Sequence, residues 1–300
     1  MEPEIEVSGL VRTYRTTTGV VRRRRVEVEA VRGIDFAVAR GSLFGLLGPN
    51  GAGKTTTIKM LATLLLPTAG SARVAGLDVA RETVRVRERI GYVFGGDRGL
   101  YDRLSGRDNL RYFAELYAVE PRAQRRRIDE VLELVGLAGR ADERVEGYSR
   151  GMRQRLHIAR GILHRPRVLF LDEPSIGVDP VAARELRQLV AGLVADGTTV
   201  LLTTHYMFEA DQLCDRVAVI ARGAIVAEGT PRELKGHVAD ATVVEIEAFG
   251  VEEEALVRLR AVPGVEAVHV DDRDDGQVVS VRSARGLGLT PSLLEALDGT

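Results

Sequence analysis

The sequence predicts an α/β fold built on a mostly parallel sheet, and three observations carry that expectation. Strand-like apolar runs alternate with helix-like stretches through residues 1–235. The run Leu43-Phe44-Gly45-Leu46-Leu47 leads into Gly48-Pro49-Asn50-Gly51-Ala52-Gly53-Lys54-Thr55-Thr56, which fits G-x-x-x-x-G-K-[ST], and a helical pattern through Ala62 follows. Two further apolar runs end in polar groups: Val168-Leu169-Phe170-Leu171 in Asp172-Glu173, and Thr199 to Thr204 in His205. Parallel strands buried on both faces read as such continuous runs, and their ligands gather at the carboxyl ends.

Composition narrows the classes. The 300 residues are 45% hydrophobic, enough for a packed core. With 42 basic and 43 acidic residues the net charge is −1, which gives no general pull toward nucleic acid. Cys214 is the single cysteine, so no internal disulfide forms, and with no metal-ligand spacing around it the residue reads as a small core side chain. The acidic start, Met1 to Glu6, is unlike the basic opening of a signal peptide. No apolar run approaches the ~18 residues that span a bilayer. The expectation is a cytoplasmic chain that meets a membrane only through a partner.

Taken in order, Ile5 to Tyr14 reads as a first strand. Tyr14 closes it, either as an edge-packing ring or as a ring that stacks on a purine. Arg22 to Arg25 follow in a polar stretch, either a solvated turn or a contact for anionic lipid headgroups. Val26–Ile34 and Phe36–Ala39 read as two further strands leading to the phosphate loop. Ser71–Val74 and Ile90–Phe94 read as strands with a short helix, Val84–Arg89, between them; Gly95 to Gly99 breaks the chain. Ser105 to Val135 is helical in period, interrupted near Pro121, with Ser105 as N-cap and Asp108 three residues on. A helix opens at Tyr148-Ser149-Arg150-Gly151-Met152 and runs to Leu163. Pro180 starts another that ends at Asp196-Gly197. Strands at Val217–Ile220 and Ala224–Ala227 close this part. Residues 236–300 change pattern: strands at Val243–Ala248, Val265–Asp271 and Gln277–Val281 with helices at Glu252–Arg260 and Ser292–Leu297 make a small α+β accessory domain without a chemical motif.

The motifs assign chemistry. Gly48, Gly51 and Gly53 let backbone N–H groups converge on phosphate oxygens at a helix N-terminus. Lys54 reaches the β- and γ-phosphates and the Thr55 hydroxyl ligates Mg²⁺. Asp172 holds the metal opposite Thr55, directly or through water. Glu173, on the γ-phosphate side, orients and deprotonates the attacking water. His205 hydrogen-bonds the γ-phosphate or that water, or is a satisfied strand-end histidine.

Taken together these residues resemble the ATP-binding cassette (ABC) ATPases. Tyr148-Ser149-Arg150-Gly151-Met152 is similar to that family's Leu-Ser-Gly-Gly-Gln signature, and Ser149 stands 23 residues before Asp172, as it does there. Ser175 to Asp179 matches the D-loop, His205 the switch histidine and Tyr14 the adenine-stacking aromatic. The resemblance covers residues 5–235. It implies a P-loop NTPase core with antiparallel β and helical subdomains, the helical one at about 96–165. It also adds Asn50, Ala52, Thr56, Ser149, Gly151, Met152 and Asp179 to the nucleotide-binding set. Nothing in one copy caps the γ-phosphate from the far side; Ser149 and the N–H groups after Gly151 do so from a second copy, so that two chains enclose two ATP molecules. Ser-Arg-Gly-Met-Arg-Gln-Arg and Thr-His-Tyr-Met-Phe-Glu-Ala-Asp resemble the drug- and antibiotic-export branch, which works with an ABC-2-type permease at the inner face of the cell membrane. The region 105–147 is then the permease contact.

Two departures stand out. Arg150 and Met152 replace Gly and Gln in the signature. Gly95 stands where the family carries a Mg²⁺-contacting Gln, leaving the loop either a hinge toward the permease or a source of Asp97 as substitute ligand. Other classes stay open at this point: a soluble ABC ATPase acting on ribosomes or DNA, and a regulator that binds ATP without turnover. A single cassette without coiled coil or zinc cysteines disfavours the first, and the intact Asp172-Glu173 pair the second.

Overall fold

A computed structural model describes the chain except residues 1–2, 19–23, 95–98, 240, 249–250, 252, 274–275, 285–289 and 298–300. The loop residues Gly95 and Asp97, and Arg22 and Arg23 of the basic run, therefore lie outside the described residues. The chain forms two compact units, Met1–Pro231 and Arg232–Thr300.

The first unit opens with a long antiparallel pair, β1 (Pro3–Thr18) and β2 (Arg24–Ala39). β2 runs unbroken where the sequence suggested two strands, because Gly33 at φ +71° shifts the register without ending the pairing. β1 likewise continues past Tyr14. Next come β3 (Leu43–Leu47), α1 (Lys54–Leu61), β4 (Ala69–Val74), β5 (Leu77–Asp78), α2 (Thr83–Arg87) and β6 (Ile90–Val93). β2, β1, β4 and β5 make one antiparallel sheet in that order.

Helices α3 (Gly106–Leu116), α4 (Pro121–Leu134) and α5 (Arg150–Ile162) follow as a block. Ser105 caps α3 as its sequence suggests, its Oγ accepting from Asp108 N at 3.0 Å. Pro121 starts α4, where its missing N–H costs nothing. The chain returns through β7 (Val168–Asp172), α6 (Pro180–Ala195), β8 (Thr199–Thr204), α7 (Met207–Leu213), β9 (Arg216–Ala221) and β10 (Ala224–Gly229). The second sheet has the order β10-β9-β3-β8-β7-β6, parallel from β9 to β6. β3, β7 and β8 are buried along their whole lengths, which explains their unbroken apolar runs.

α1 packs between the two sheets. Its Ile58, Met60 and Leu61 share a core with Ile5, Leu10 and Val74 on one side and Leu46, Phe170 and Leu201 on the other. Phe36 and Phe44 stack at 5.3 Å within the same core. Cys214 is buried at the end of α7. A Cβ on Gly45 would meet its Sγ at 2.7 Å, so the thiol occupies space that only glycine leaves free. Burial first, then Glu209 and Asp215, push its pKa up.

α8 (Pro231–Ala239) begins at the last residue of the first unit and continues into the second along the chain. The second unit holds β11 (Ala241–Ala248), α9 (Glu253–Ala261), β12 (Val265–Arg273), β13 (Gly276–Ala284) and α10 (Thr290–Leu297). Its antiparallel sheet, β11-β13-β12, has its own core of Ala255, Leu256, Leu259, Val279, Val281 and Leu293. Among the described residues no helix is long and apolar enough to cross a membrane.

His157 on α5 is fully buried, and neither ring nitrogen has a hydrogen-bond partner among the described residues. Burial, then the Arg160 and Arg153 cations, lower its pKa from 6.5 to about 3. Because the folded pKa is depressed, the unfolded chain takes up a proton that the folded chain refuses. The share of stability that depends on neutral His157 is complete above pH 6.5 and drains away as pH falls toward 3. Urea unfolding at two pH values checks this: between pH 7.5 and 5 the parent should lose about 2 kcal/mol more than His157→Leu. Equal losses in the two proteins would remove His157 from the acid response.

Candidate active site

β3, β8 and β7 are neighbours, and they end together: Leu47 pairs with Thr204, and Asp172 with Thr203. The phosphate loop, the two carboxylates and His205 leave the sheet at this edge. Gly53 sits at φ +112°, and a Cβ there would meet Ala30 O at 2.5 Å, so only glycine fits. It precedes α1 without a side-chain cap, which leaves the first-turn N–H groups of α1 to face a ligand. Ala52 is buried and its carbonyl accepts from Gly223 N at 2.9 Å, pinning the loop to the turn between β9 and β10; Asn50 is exposed and Thr56 half-buried on α1. Gly48 N donates to Thr204 O at 3.2 Å.

Lys54 is 4% exposed. Its Nζ donates to Gly48 O at 2.6 Å and Pro49 O at 3.1 Å, and forms an ion pair with Glu173 Oε1 at 3.1 Å. A buried ammonium is tolerable only with such partners. Glu173 adopts φ +49°, a left-handed conformation that costs a non-glycine residue energy and that clusters at functional sites. Two contacts hold it there: its N–H donates to Thr203 O at 3.1 Å and to Thr203 Oγ1 at 3.0 Å. His205 Nδ1 lies 3.4 Å from Glu173 Oε2, near enough for attraction when protonated but outside hydrogen-bond geometry. The His205 ring lies against that of Tyr206 at 3.9 Å.

Asp172 is buried and meets three hydroxyls. Oδ1 accepts from Thr203 Oγ1 at 2.7 Å and Thr55 Oγ1 at 3.1 Å; Oδ2 faces the Tyr92 hydroxyl at 3.5 Å. Burial, reinforced by Asp172, raises the Tyr92 pKa, so its hydroxyl stays a proton donor. The sequence reading missed both Thr203 and Tyr92. A polar signal existed in Leu202-Thr203-Thr204, hydroxyls at the end of an apolar strand. For Tyr92 the sequence held none, since tyrosine suits a strand for packing alone.

The remaining expected residues are held by local contacts of their own. Ser149 caps α5, its Oγ accepting from Met152 N at 3.2 Å; Gly151 is buried and Met152 partly so. Asp179 caps α6 by accepting from Val181 N and Ala182 N. Tyr14 is half-buried in β1 with the Arg12 guanidinium 4.9 Å over its ring. No hydrogen bond among the described residues joins 149–152, Asp179 or Tyr14 to the phosphate loop.

Comparison with known proteins follows the same lines. The profile of the family described as "ABC transporter" matches residues 31–176. The daunorubicin resistance ATP-binding protein DrrA3 of Streptomyces coeruleorubidus is 43% identical over 284 residues, covering 93% of this chain and 88% of the relative. The linearmycin resistance ATP-binding protein LnrL of Bacillus subtilis is 37% identical, covering 81% of this chain and 78% of its own. Among solved structures, cbiO1 of Clostridium perfringens, described as part of the ABC transporter complex cbiONQ, superposes with a TM-score of 0.68 at 26% identity over 79% of this chain and 92% of that one. The dimeric ATP-binding cassette MJ0796 bound to ADP and Pi has a TM-score of 0.66 over 76% of this chain and 99% of that one, a likeness of fold at 23% identity.

Thr203 ties Asp172 to the Glu173 backbone. Thr203→Val keeps the shape but leaves the buried Asp172 Oδ1 short of a donor, which should cost about 1–3 kcal/mol. Thermal unfolding checks this, and an unchanged midpoint would show that the threonine hydroxyl holds nothing.

Proposed function

The chain belongs to the ABC transporter family as an ATP-binding ATPase subunit, and from that premise we propose how its residues work and what it serves. The observation that carries the reading is the meeting of Lys54, Thr55, Asp172, Glu173 and His205 at the ends of three adjacent strands. The loop 48–53 and the first turn of α1 cradle the phosphates, and Lys54 adds its charge. A hydroxyl, Thr55, and a carboxylate, Asp172, are hard oxygen donors that suit Mg²⁺. Among the described residues no cluster of three His, Cys, Asp or Glu could hold a metal ion. An ion held by Thr55 and Asp172 would supply positive charge against that developing on the phosphates. Glu173 accepts the proton of the attacking water, and His205 orients the same region. Tyr14 stacks on the adenine.

Ser149, Gly151, Met152 and Asp179 act in a second copy of the chain. The N-terminus of α5, capped by Ser149, closes over the phosphates bound to its partner. Closing and opening of that dimer drives a separate membrane permease. Exposed rings on and beside α3, Tyr101, Tyr112 and Tyr117 with Leu116, offer that permease an apolar contact at the inner face of the membrane. The names of the daunorubicin- and linearmycin-resistance relatives support export of an antibiotic-like compound as the task.

Glu173→Gln tests the centre of this. It keeps size and hydrogen bonding but removes the base, so MgATP should still bind while turnover falls at least roughly 100-fold. An ATP-dependent dimer should then accumulate on size-exclusion chromatography. A parental rate would take Glu173 out of the chemistry. Lys54→Ala should instead weaken ATP binding itself.

A further inference from the structure

Resting on the MgATP reading above, we propose that the Tyr92 hydroxyl is a metal-positioning group, holding the Asp172 carboxylate and the water shell of Mg²⁺.

The geometry divides the Asp172 carboxylate in two. Oδ1 is taken by Thr203 at 2.7 Å and Thr55 at 3.1 Å. Oδ2 faces Tyr92 at 3.5 Å, the long limit of a hydrogen bond. The sheet aims the phenol there. Tyr92 pairs with Phe170, two residues before Asp172 on β7, and side chains two apart on a strand share a face. The Tyr92 ring packs edge-on against Phe94 at 4.3 Å, which fixes its plane.

Packing alone does not call for the hydroxyl. Phenylalanine would fill the same space, and burying an O–H costs free energy unless a partner takes it. The oxygen also has two faces. Donating to Oδ2, it keeps lone pairs that accept from a water on the metal. Mg²⁺ retains several of its waters, so groups that orient those waters matter as much as direct ligands. Outer partners of this kind typically change metal affinity 10–100-fold. Tyr92 thus acts through Asp172 and bound water and does not itself touch the phosphates.

Tyr92→Phe tests this with Mn²⁺ as the probe. Electron paramagnetic resonance reads free Mn²⁺ against the full-length chain loaded with a non-hydrolysable ATP analogue. The variant should bind Mn²⁺ at least about tenfold more weakly. Its affinity for the analogue without metal should stay within about twofold, and it should stay folded, its thermal midpoint lowered no further than that of Thr203→Val. Mn²⁺ affinity within twofold of the parent would overturn the assignment. So would Asp97→Ala producing the tenfold loss while Tyr92→Phe does not, which would make the loop carboxylate the substitute. A Tyr92→Phe chain that fails to fold would assign the hydroxyl to stability and also refute the role. If the parent with its analogue binds no more Mn²⁺ than the analogue alone, the MgATP reading itself fails, a result separable from the others.

Discussion

The common ending of β3, β8 and β7 is the constraint on which the rest depends. Side chains alternate across a strand, so a slip of one residue between β7 and β8 would exchange the faces of Asp172 and Glu173. The register Asp172↔Thr203 prevents this twice over. The backbone ladder sets it, and the Thr203 hydroxyl ties Asp172 Oδ1 to the Glu173 N–H. One small side chain on the middle strand thereby holds the carboxylate of Asp172 and the backbone of Glu173. The left-handed backbone at Glu173 is stored strain that these contacts hold in place.

Charge in this small volume is balanced locally. Lys54 is surrounded by two backbone carbonyls and Glu173, and Asp172 by three hydroxyls. The cation thus has an anionic partner and Asp172 has dipoles. Such an arrangement pairs Lys54 while leaving the Asp172 carboxylate supported by hydroxyl groups that can turn. The two carboxylates, adjacent in sequence, therefore sit in different surroundings, one paired with an ammonium and one held by hydroxyls.

Much of the fold was legible because buried parallel strands and capped helices leave local marks. The runs at β3, β7 and β8, Pro121 and Pro180 at helix starts, and Ser105 before α3 are of this kind. α7 escaped because seven residues carry too little period to register, and the tiny β5 because two residues carry none. Motif and spacing point to the phosphate loop, Asp172, Glu173 and His205, and the fold brings these together. Thr203 and Tyr92 were not legible, because their meaning lies across strands. Only the alignment of β6 with β7 and of β7 with β8 brings them to Asp172.

Cys214 carries a practical consequence. Its thiol is buried against Gly45, and its raised pKa leaves almost no thiolate near neutral pH. Alkylating dyes and maleimides should therefore react with it slowly while the chain is folded. A cysteine introduced at an exposed position would be labelled selectively, with the native thiol left in place and the tight β3–α7 contact undisturbed.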